Sequence, residues 1–145
     1  MENKSAEDIS SIVVDTAFGL HRDLGPGLLE SVYEVVLAKL LQDRGLAVER
    51  QVVVPITFAG LSIEEGFRAD LLVQKSFVIE LKSVEAFAPI HAKQLLTYLR
   101  LMNLPLGLLI NFGSGMFKDG IKRIVNGRND LGLSRLRINR PDSPA

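Results

Sequence analysis

The chain has 145 residues, 47% of them hydrophobic, and a formal net charge of zero. This length and composition fit one domain with a substantial core, and the absence of cysteine excludes a disulfide framework and a thiolate zinc site. No apolar run reaches the roughly 18 residues of a membrane-spanning helix, and the first ten residues lack a secretory pattern, so we expect a cytoplasmic protein without a membrane partner.

Two helices are predicted at the start of the chain. The first covers residues 5–24, where Ser5 caps the N-terminus and apolar residues recur at helical spacing. The segment "LGPGLLE", residues 24–30, interrupts this pattern, because Gly-Pro-Gly continues a helix only at high cost. A second amphipathic helix is predicted at residues 29–44.

The pattern then changes to that of strands. β-Branched and apolar residues predict four strands, at residues 47–58, 64–74, 76–84 and 105–112. A third helix is predicted at residues 90–102, and a short basic helix at residues 118–126. We therefore expect a mixed α/β fold in which helices flank a sheet. Residues 1–126 are predicted to form one domain, followed by a basic, partly flexible extension at residues 127–145.

Charge is unevenly distributed along the chain. From Lys118 to Ala145, seven Lys or Arg stand against three Asp. A basic segment of this kind either contacts nucleic-acid phosphates or keeps the end of the chain soluble.

Charged residues mark the hairpin that the second and third strands are predicted to form. With a three-residue turn at residues 74–76, Asp70 lies opposite Glu80, and Arg68 lies opposite Lys82. All four side chains then project from one face, because side chains alternate along a strand. Two carboxylates that face each other repel, so a cation is expected beside them.

Two interpretations of this cation are open on the pattern alone. Either Lys82 and Arg68 neutralise the two acids as ion pairs, or a divalent metal binds there. A set of ligands made only of oxygen atoms favours Mg²⁺ or Mn²⁺.

Polar residues on two predicted helices extend this cluster. Gln94 and Tyr98 stand four residues apart on one face of the third helix, with His91 one turn earlier. Glu30 lies in the first turn of the second helix. On spacing alone, a polar helix surface explains Gln94 and Tyr98 as well, and the helix dipole explains Glu30.

Five segments of the chain together resemble one protein family. In chain order they are "GLLESVYE", "FRADLLV", "VIELKSV", "QLLTYL" and "PLGLLINFG". The first has the spacing G-x-x-E-x-x-Y, and the set resembles the GxxExxY proteins, a branch of the PD-(D/E)XK nuclease-like superfamily. The resemblance extends from about Val13 to Val125.

The resemblance implies a restriction-endonuclease-like core, with a four-stranded mixed sheet between helices. It also assigns the motif positions in this chain. The first acid is matched by Asp70, E-x-K by Glu80 and Lys82, the acid of an upstream helix by Glu30, and Q-x-x-x-Y by Gln94 and Tyr98. Ala69 stands where the motif has proline, which is not a metal ligand.

From this resemblance we hypothesise that the protein hydrolyses phosphodiester bonds with Mg²⁺ or Mn²⁺. The implied metal ligands are the side chains of Asp70, Glu80 and Glu30 and the carbonyl of Leu81. Lys82 would orient the attacking water or offset charge on the phosphate, while Gln94 and Tyr98 would position the phosphate or the lysine. The residues expected to contact the nucleic-acid backbone are Arg68, Lys118, Lys122, Arg123 and Arg128.

The expected partner is nucleic acid, with DNA favoured over RNA. Because no sequence-reading module is evident, we expect a preference for ends, flaps or single strands. Two other interpretations stay open. One is a catalytically silent binding or regulatory module that acts through a protein partner, and the other is an assembly protein that forms a homodimer.

Overall fold

The computed structural model describes residues 4–127 and 136–138. These residues contain three α-helices and six strands. The helices are α1 (Ala6–Leu24), α2 (Glu30–Asp43) and α3 (Pro89–Met102). The strands are β1 (Val48–Phe58), β2 (Leu61–Val73), β3 (Phe77–Lys82), β4 (Leu106–Asn111), β5 (Ile121–Val125) and β6 (Leu136–Ile138). The first three predicted helices and all four predicted strands are confirmed, with ends that shift by a few residues.

Hydrogen bonds at its two ends explain where α1 begins and stops. The Asp8 N–H donates to Ser5 Oγ at 3.1 Å, and the Ser5 N–H donates to Asp8 Oδ2 at 3.3 Å. This reciprocal pair satisfies two N–H groups that have no partner within the helix. At the other end, Gly25 has φ 70° and its N–H donates to His21 O at 2.8 Å. The chain can therefore turn sharply towards α2.

The strands form one mixed sheet in the order β5–β4–β3–β2–β1–β6. β3 and β4 are parallel and are connected through α3, whereas the other neighbouring pairs are antiparallel. Every residue of β4 is buried, as expected of a central strand that is covered on both faces. Because β3 and β4 are parallel, their carboxyl ends meet at one edge, where Lys82 lies beside Asn111.

The helix predicted at residues 118–126 is wrong. Residues Phe117–Asp119 form one turn of 3₁₀-helix, and β5 follows in antiparallel pairing with β4. Three of the five residues of β5, namely Ile121, Ile124 and Val125, are β-branched, and such residues favour strands over helices. The edge of β4 supplies the backbone partners that a strand needs.

The sheet also contains a strand in the predicted C-terminal extension. β6 pairs in antiparallel fashion with the end of β1. The sheet therefore has six strands, whereas the resemblance implied four. Residues 128–135 and 139–145 lie outside the described residues. The predicted nucleic-acid contact Arg128 is one of them.

Helices cover both faces of the sheet. Ile79 and Val78 are neighbours in β3 and therefore point to opposite faces. Ile79 packs with α1 and α2 in the larger core cluster, which includes Val13 and Leu37. Val78 packs with α3 through Leu95. The expected mixed α/β fold is confirmed. None of the three helices is long and apolar enough to cross a membrane.

Candidate active site

The predicted pairing of β2 with β3 is confirmed. Val73 lies opposite Phe77, and two further pairs follow in the same register. Regular pairing then ends immediately before Asp70 and Glu80. The two acids therefore lie at the point where the backbone ladder between β2 and β3 stops.

Asp70 and Glu80 replace the backbone hydrogen bonds that would have come next. The Leu81 N–H donates to Asp70 Oδ2 at 2.8 Å, and the Asp70 N–H donates to Glu80 Oε1 at 3.2 Å. Each carboxylate thus binds the main chain of the other strand. The two acids come together as the hairpin register predicted, and each has a second oxygen that these backbone bonds do not use.

The side chains of β2 that alternate on one face of the sheet change to the other face at Asp70. Phe67 and Ala69 pack with residues of α3, whereas Leu71 and Val73 pack with residues of α1 and α2. In a regular strand these four side chains would share one face. The alternation that predicted a common face for the four charged residues is therefore broken within β2.

Neither predicted cation forms an ion pair with the two acids in the part of the chain that the structure describes. Arg68 is paired with Glu65 instead, with Nη2 2.6 Å from Oε1. Lys82 is half-buried, and its charge favours the ionised form of Glu80 without a direct contact between the two. Of the two interpretations left open by the hairpin pattern, the ion pairs of Lys82 and Arg68 with the two acids are not formed among the described residues.

Gln51 connects the acids to α2. Its backbone has φ 51°, and its Nε2 donates to Glu34 Oε1 at 2.5 Å and to Asp70 Oδ1 at 3.3 Å. The buried Glu34 carboxylate also accepts from Arg50 Nε at 3.2 Å. Sequence reasoning missed Gln51 and gave Glu34 no role. The available signal was the polar run "ERQ" at the start of an otherwise apolar strand.

Burial, followed by the repulsion between neighbouring acids, determines the electrostatics of the site. Burial, and then the negative charge of Asp70, raise the pKa of Glu80 to about 9. Burial and then Asp70 also raise the pKa of Glu30. Burial and then Glu80 raise the pKa of Tyr98. Lys82 opposes these effects at both glutamates, but the opposing effects are larger.

α3 places a polar pair beside this cluster. Gln94 Nε2 donates to Tyr98 Oη at 2.8 Å, so the two residues predicted to share a helix face are in contact. The buried ring of Tyr98 stacks on Phe67, with 4.3 Å between ring centroids. His91 accepts the Ala88 N–H at Nδ1 over 3.1 Å and so supports the start of the helix.

The oxygen atoms around Asp70 and Glu80 are of the type that binds a hard divalent cation. The predicted ligands, which also include Glu30 and the Leu81 carbonyl, all provide oxygen. A cation would also offset the negative charge that raises the pKa of Glu80. Among residues 4–127 and 136–138, no three acidic or histidine side chains form a group that could hold a metal. Glu30 therefore does not complete a three-acid site with the two hairpin acids.

The predicted nucleic-acid contacts Lys122 and Arg123 lie on opposite faces of the sheet. Arg123 is paired with Glu7 of α1, with Nη1 2.7 Å from Oε2. Lys122, its neighbour in β5, points to the other side of the strand, and its Nζ lies 5.7 Å from the centre of the Phe87 ring. Lys118 is exposed in the 3₁₀ turn.

A cleft of about 570 Å³ lies between the start of α2 and the segment that follows β3. One wall consists of residues 26–30, which include Glu30, and the other of residues 83–85, which directly follow Lys82. Gly113 completes the lining. This cleft was not predicted, because its two walls are far apart in the sequence.

Tyr33 holds the first wall of the cleft in place. Its Oη donates to Gly25 O at 2.5 Å and accepts from the Leu28 N–H at 3.2 Å. Its ring stacks on Phe112, with 4.5 Å between centroids. Ser83 then joins the two walls, because its Oγ donates to Leu28 O at 2.7 Å. The tyrosine of the G-x-x-E-x-x-Y spacing thus supports the loop that leads into α2.

Asn111 holds the second wall. This side chain is 1% exposed. Its Oδ1 accepts from the N–H groups of Val84 and Gly113, each at 3.0 Å, and its Nδ2 donates to Val84 O at 2.9 Å. A Cβ atom at Gly113 would lie 2.2 Å from Val84 O, so this close approach requires glycine. Sequence reasoning missed Asn111, and the signal was an amide at the end of a buried apolar strand.

Comparison with known proteins agrees with this geometry. A family model described as the PD-(D/E)XK nuclease superfamily matches residues 7–124, which include both hairpin acids and Lys82. No curated protein and no solved structure matches the chain. The narrower GxxExxY branch stays a prediction from the sequence. Since the match covers most of the chain, the protein belongs to the PD-(D/E)XK nuclease superfamily.

Proposed function

We propose that this protein hydrolyses phosphodiester bonds in nucleic acid, with DNA as the expected substrate and Mg²⁺ or Mn²⁺ as the cofactor. One observation carries the proposal. Asp70 and Glu80 meet where the pairing of β2 and β3 ends, and Lys82 follows two residues later in a chain of the nuclease superfamily. Two neighbouring acids can bind a divalent cation, and a half-buried lysine beside them can act on the phosphate that the cation contacts.

Asp70, Glu80 and the Leu81 carbonyl are the proposed ligands, with Glu30 as a further acid nearby. A bound Mg²⁺ or Mn²⁺ lowers the pKa of a coordinated water and offsets charge on a phosphate. The chain holds its ligands firmly, since Asp70 binds both the Leu81 N–H and Gln51. Such supporting hydrogen bonds orient ligands before the cation arrives.

Lys82 is proposed to orient the attacking water or to offset the charge that develops on the phosphate. Within the described residues it forms no ion pair that would hold its ammonium group elsewhere. Gln94 and Tyr98 are proposed to position the phosphate or the lysine. Their mutual hydrogen bond and the stacking of Tyr98 on Phe67 restrict both side chains.

The substitution Lys82→Ala tests this assignment. We expect hydrolysis of single-stranded and duplex DNA in the presence of Mn²⁺ to fall by about 10²–10³-fold, because one preorganised charge is lost. Gel analysis of labelled oligonucleotides measures the rate. Lys75→Ala changes an exposed lysine in the turn of the same hairpin and should leave the rate unchanged. Equal rates for Lys82→Ala and the wild type would contradict the role given to Lys82.

A further inference from the structure

Both walls of the cleft beside the candidate active site are fixed by hydrogen bonds. Tyr33 holds the wall before α2, Asn111 holds the wall after β3, and Ser83 joins the two. The cleft is therefore formed before any ligand binds. It is an open groove with a volume of about 570 Å³.

Apolar side chains are exposed on both sides of this cleft. Leu29, the last residue before α2, is 74% exposed, which is the highest value among the large apolar side chains that the structure describes. Leu28 and Val84 line opposite walls and are also exposed. Leu28, Leu29 and Val84 thus give this cleft an apolar rim.

The charges of the lining select the kind of ligand. Glu30 and Glu85 are the charged residues of the lining, and no Lys or Arg is found among its described residues. A phosphate group would be repelled by these carboxylates. A nucleobase is uncharged, has two apolar faces, and can carry amino groups that donate hydrogen bonds to a carboxylate. The lining therefore suits a base better than a phosphate.

We propose that this cleft binds one unpaired base next to the phosphodiester bond that is cut, and that Leu29 separates this base from its neighbour in the strand. The inference rests on the proposed nuclease function and narrows its substrate class to single strands and frayed ends. Apolar side chains, leucine included, open base steps in this way when they insert into DNA. A base in a fully stacked duplex would first have to be extruded, at a cost of a few kcal/mol.

A single-stranded DNA oligonucleotide with one internal 2-aminopurine tests the inference. The fluorescence of 2-aminopurine rises when it leaves the stack of its neighbours. Measurements use Ca²⁺, which takes the same oxygen ligands. We expect the wild type to raise the fluorescence and Leu29→Ala to abolish this rise, with binding by anisotropy weakened about 10-fold. Leu61→Ala changes a leucine that is 66% exposed in the β1–β2 hairpin, away from the cleft, and should keep the rise.

Hydrolysis assays of the same proteins separate this inference from the proposed function. If the wild type cleaves DNA but does not raise the fluorescence, the base site is overturned and the nuclease proposal stands. The same conclusion follows if the wild type cleaves DNA and the rise persists in Leu29→Ala. A rise that depends on Leu29 without cleavage in Mn²⁺ or Mg²⁺ would support the base site and count against the nuclease proposal. No rise and no cleavage would overturn both.

Discussion

Glu80 keeps its proton at neutral pH in the metal-free protein, because its pKa is raised from 4.5 to about 9. In the unfolded chain the same group ionises near its ordinary pKa. Between these two pKa values the folded protein therefore binds one proton more than the unfolded chain. Its stability then falls as the pH rises from 4.5 to about 9, by at most about 1.4 kcal/mol per pH unit.

The substitution Glu80→Gln removes this titration and keeps the shape of the side chain. Without divalent cations, we expect the variant to be more stable than the wild type at pH 8, and the difference to shrink towards pH 5. Thermal unfolding at both pH values measures it. Glu64→Gln, at an exposed position in β2, serves as the control. Mn²⁺ should then raise the Tm of the wild type and not that of Glu80→Gln. A difference in stability that is the same at pH 5 and pH 8 would contradict this account.

At the scale of elements, the start of α2 depends on one hydroxyl group. Tyr33→Phe keeps the stacking on Phe112 and removes the bonds to Gly25 and Leu28. We expect urea unfolding to show a loss of about 1–2 kcal/mol, and cleavage of single strands to slow because one wall of the cleft loosens. Thr16→Val removes a hydroxyl–carbonyl bond within α1 and should lower stability without slowing cleavage. Cleavage that is equally fast in both variants would show that the hydroxyl does not support the cleft.

Elements with a strong local pattern could be predicted from the sequence, and so could part of the site. The positions of Asp70 and Glu80 follow from the length of one hairpin turn. The path of β5 could not be predicted, because it depends on the open edge of β4 rather than on residues 118–126 alone. The cleft is non-local in the same way, since Asn111 and Ser83 bind residues 27 and 55 positions away. The ion pair of Arg68 with Glu65 was not predicted, because the side chains of β2 change from one face of the sheet to the other next to Arg68.

At the scale of the whole molecule, arginines of the described part are mostly held by acids. The ion pairs are Arg22–Asp23, Arg44–Asp15, Arg50–Glu34, Arg68–Glu65 and Arg123–Glu7. Arg50 pairs with the buried Glu34, whereas the other four pairs are exposed and add little to stability. They also reduce the number of cations that can replace counterions on a nucleic-acid backbone.

We therefore expect DNA binding to depend weakly on salt. For single strands, two or three phosphate contacts give a slope of log K against log [NaCl] of about −1.4 to −2. Anisotropy between 50 and 200 mM NaCl, the range over which such slopes differ clearly, measures it. Lys122→Ala should make the slope shallower by about 0.7, whereas Arg123→Ala should not change it, because Glu7 already holds that guanidinium. A slope steeper than about −4 would contradict this expectation and indicate further basic contacts.

The change of facing at Asp70 has a consequence for the evolution of the chain. In a regular strand, the insertion or deletion of one residue turns every later side chain to the other face. At Asp70 the facing changes without such an insertion, because Arg50 pairs with Leu71 and Val52 pairs with Ala69 in the same register, whereas the register of β1 with β2 shifts between Val54 and Ile56. The outer part of this hairpin is thus uncoupled from the acid. We expect a change of length in that outer part to leave Asp70 beside Glu80, so that the tip of the hairpin can vary independently of the candidate site.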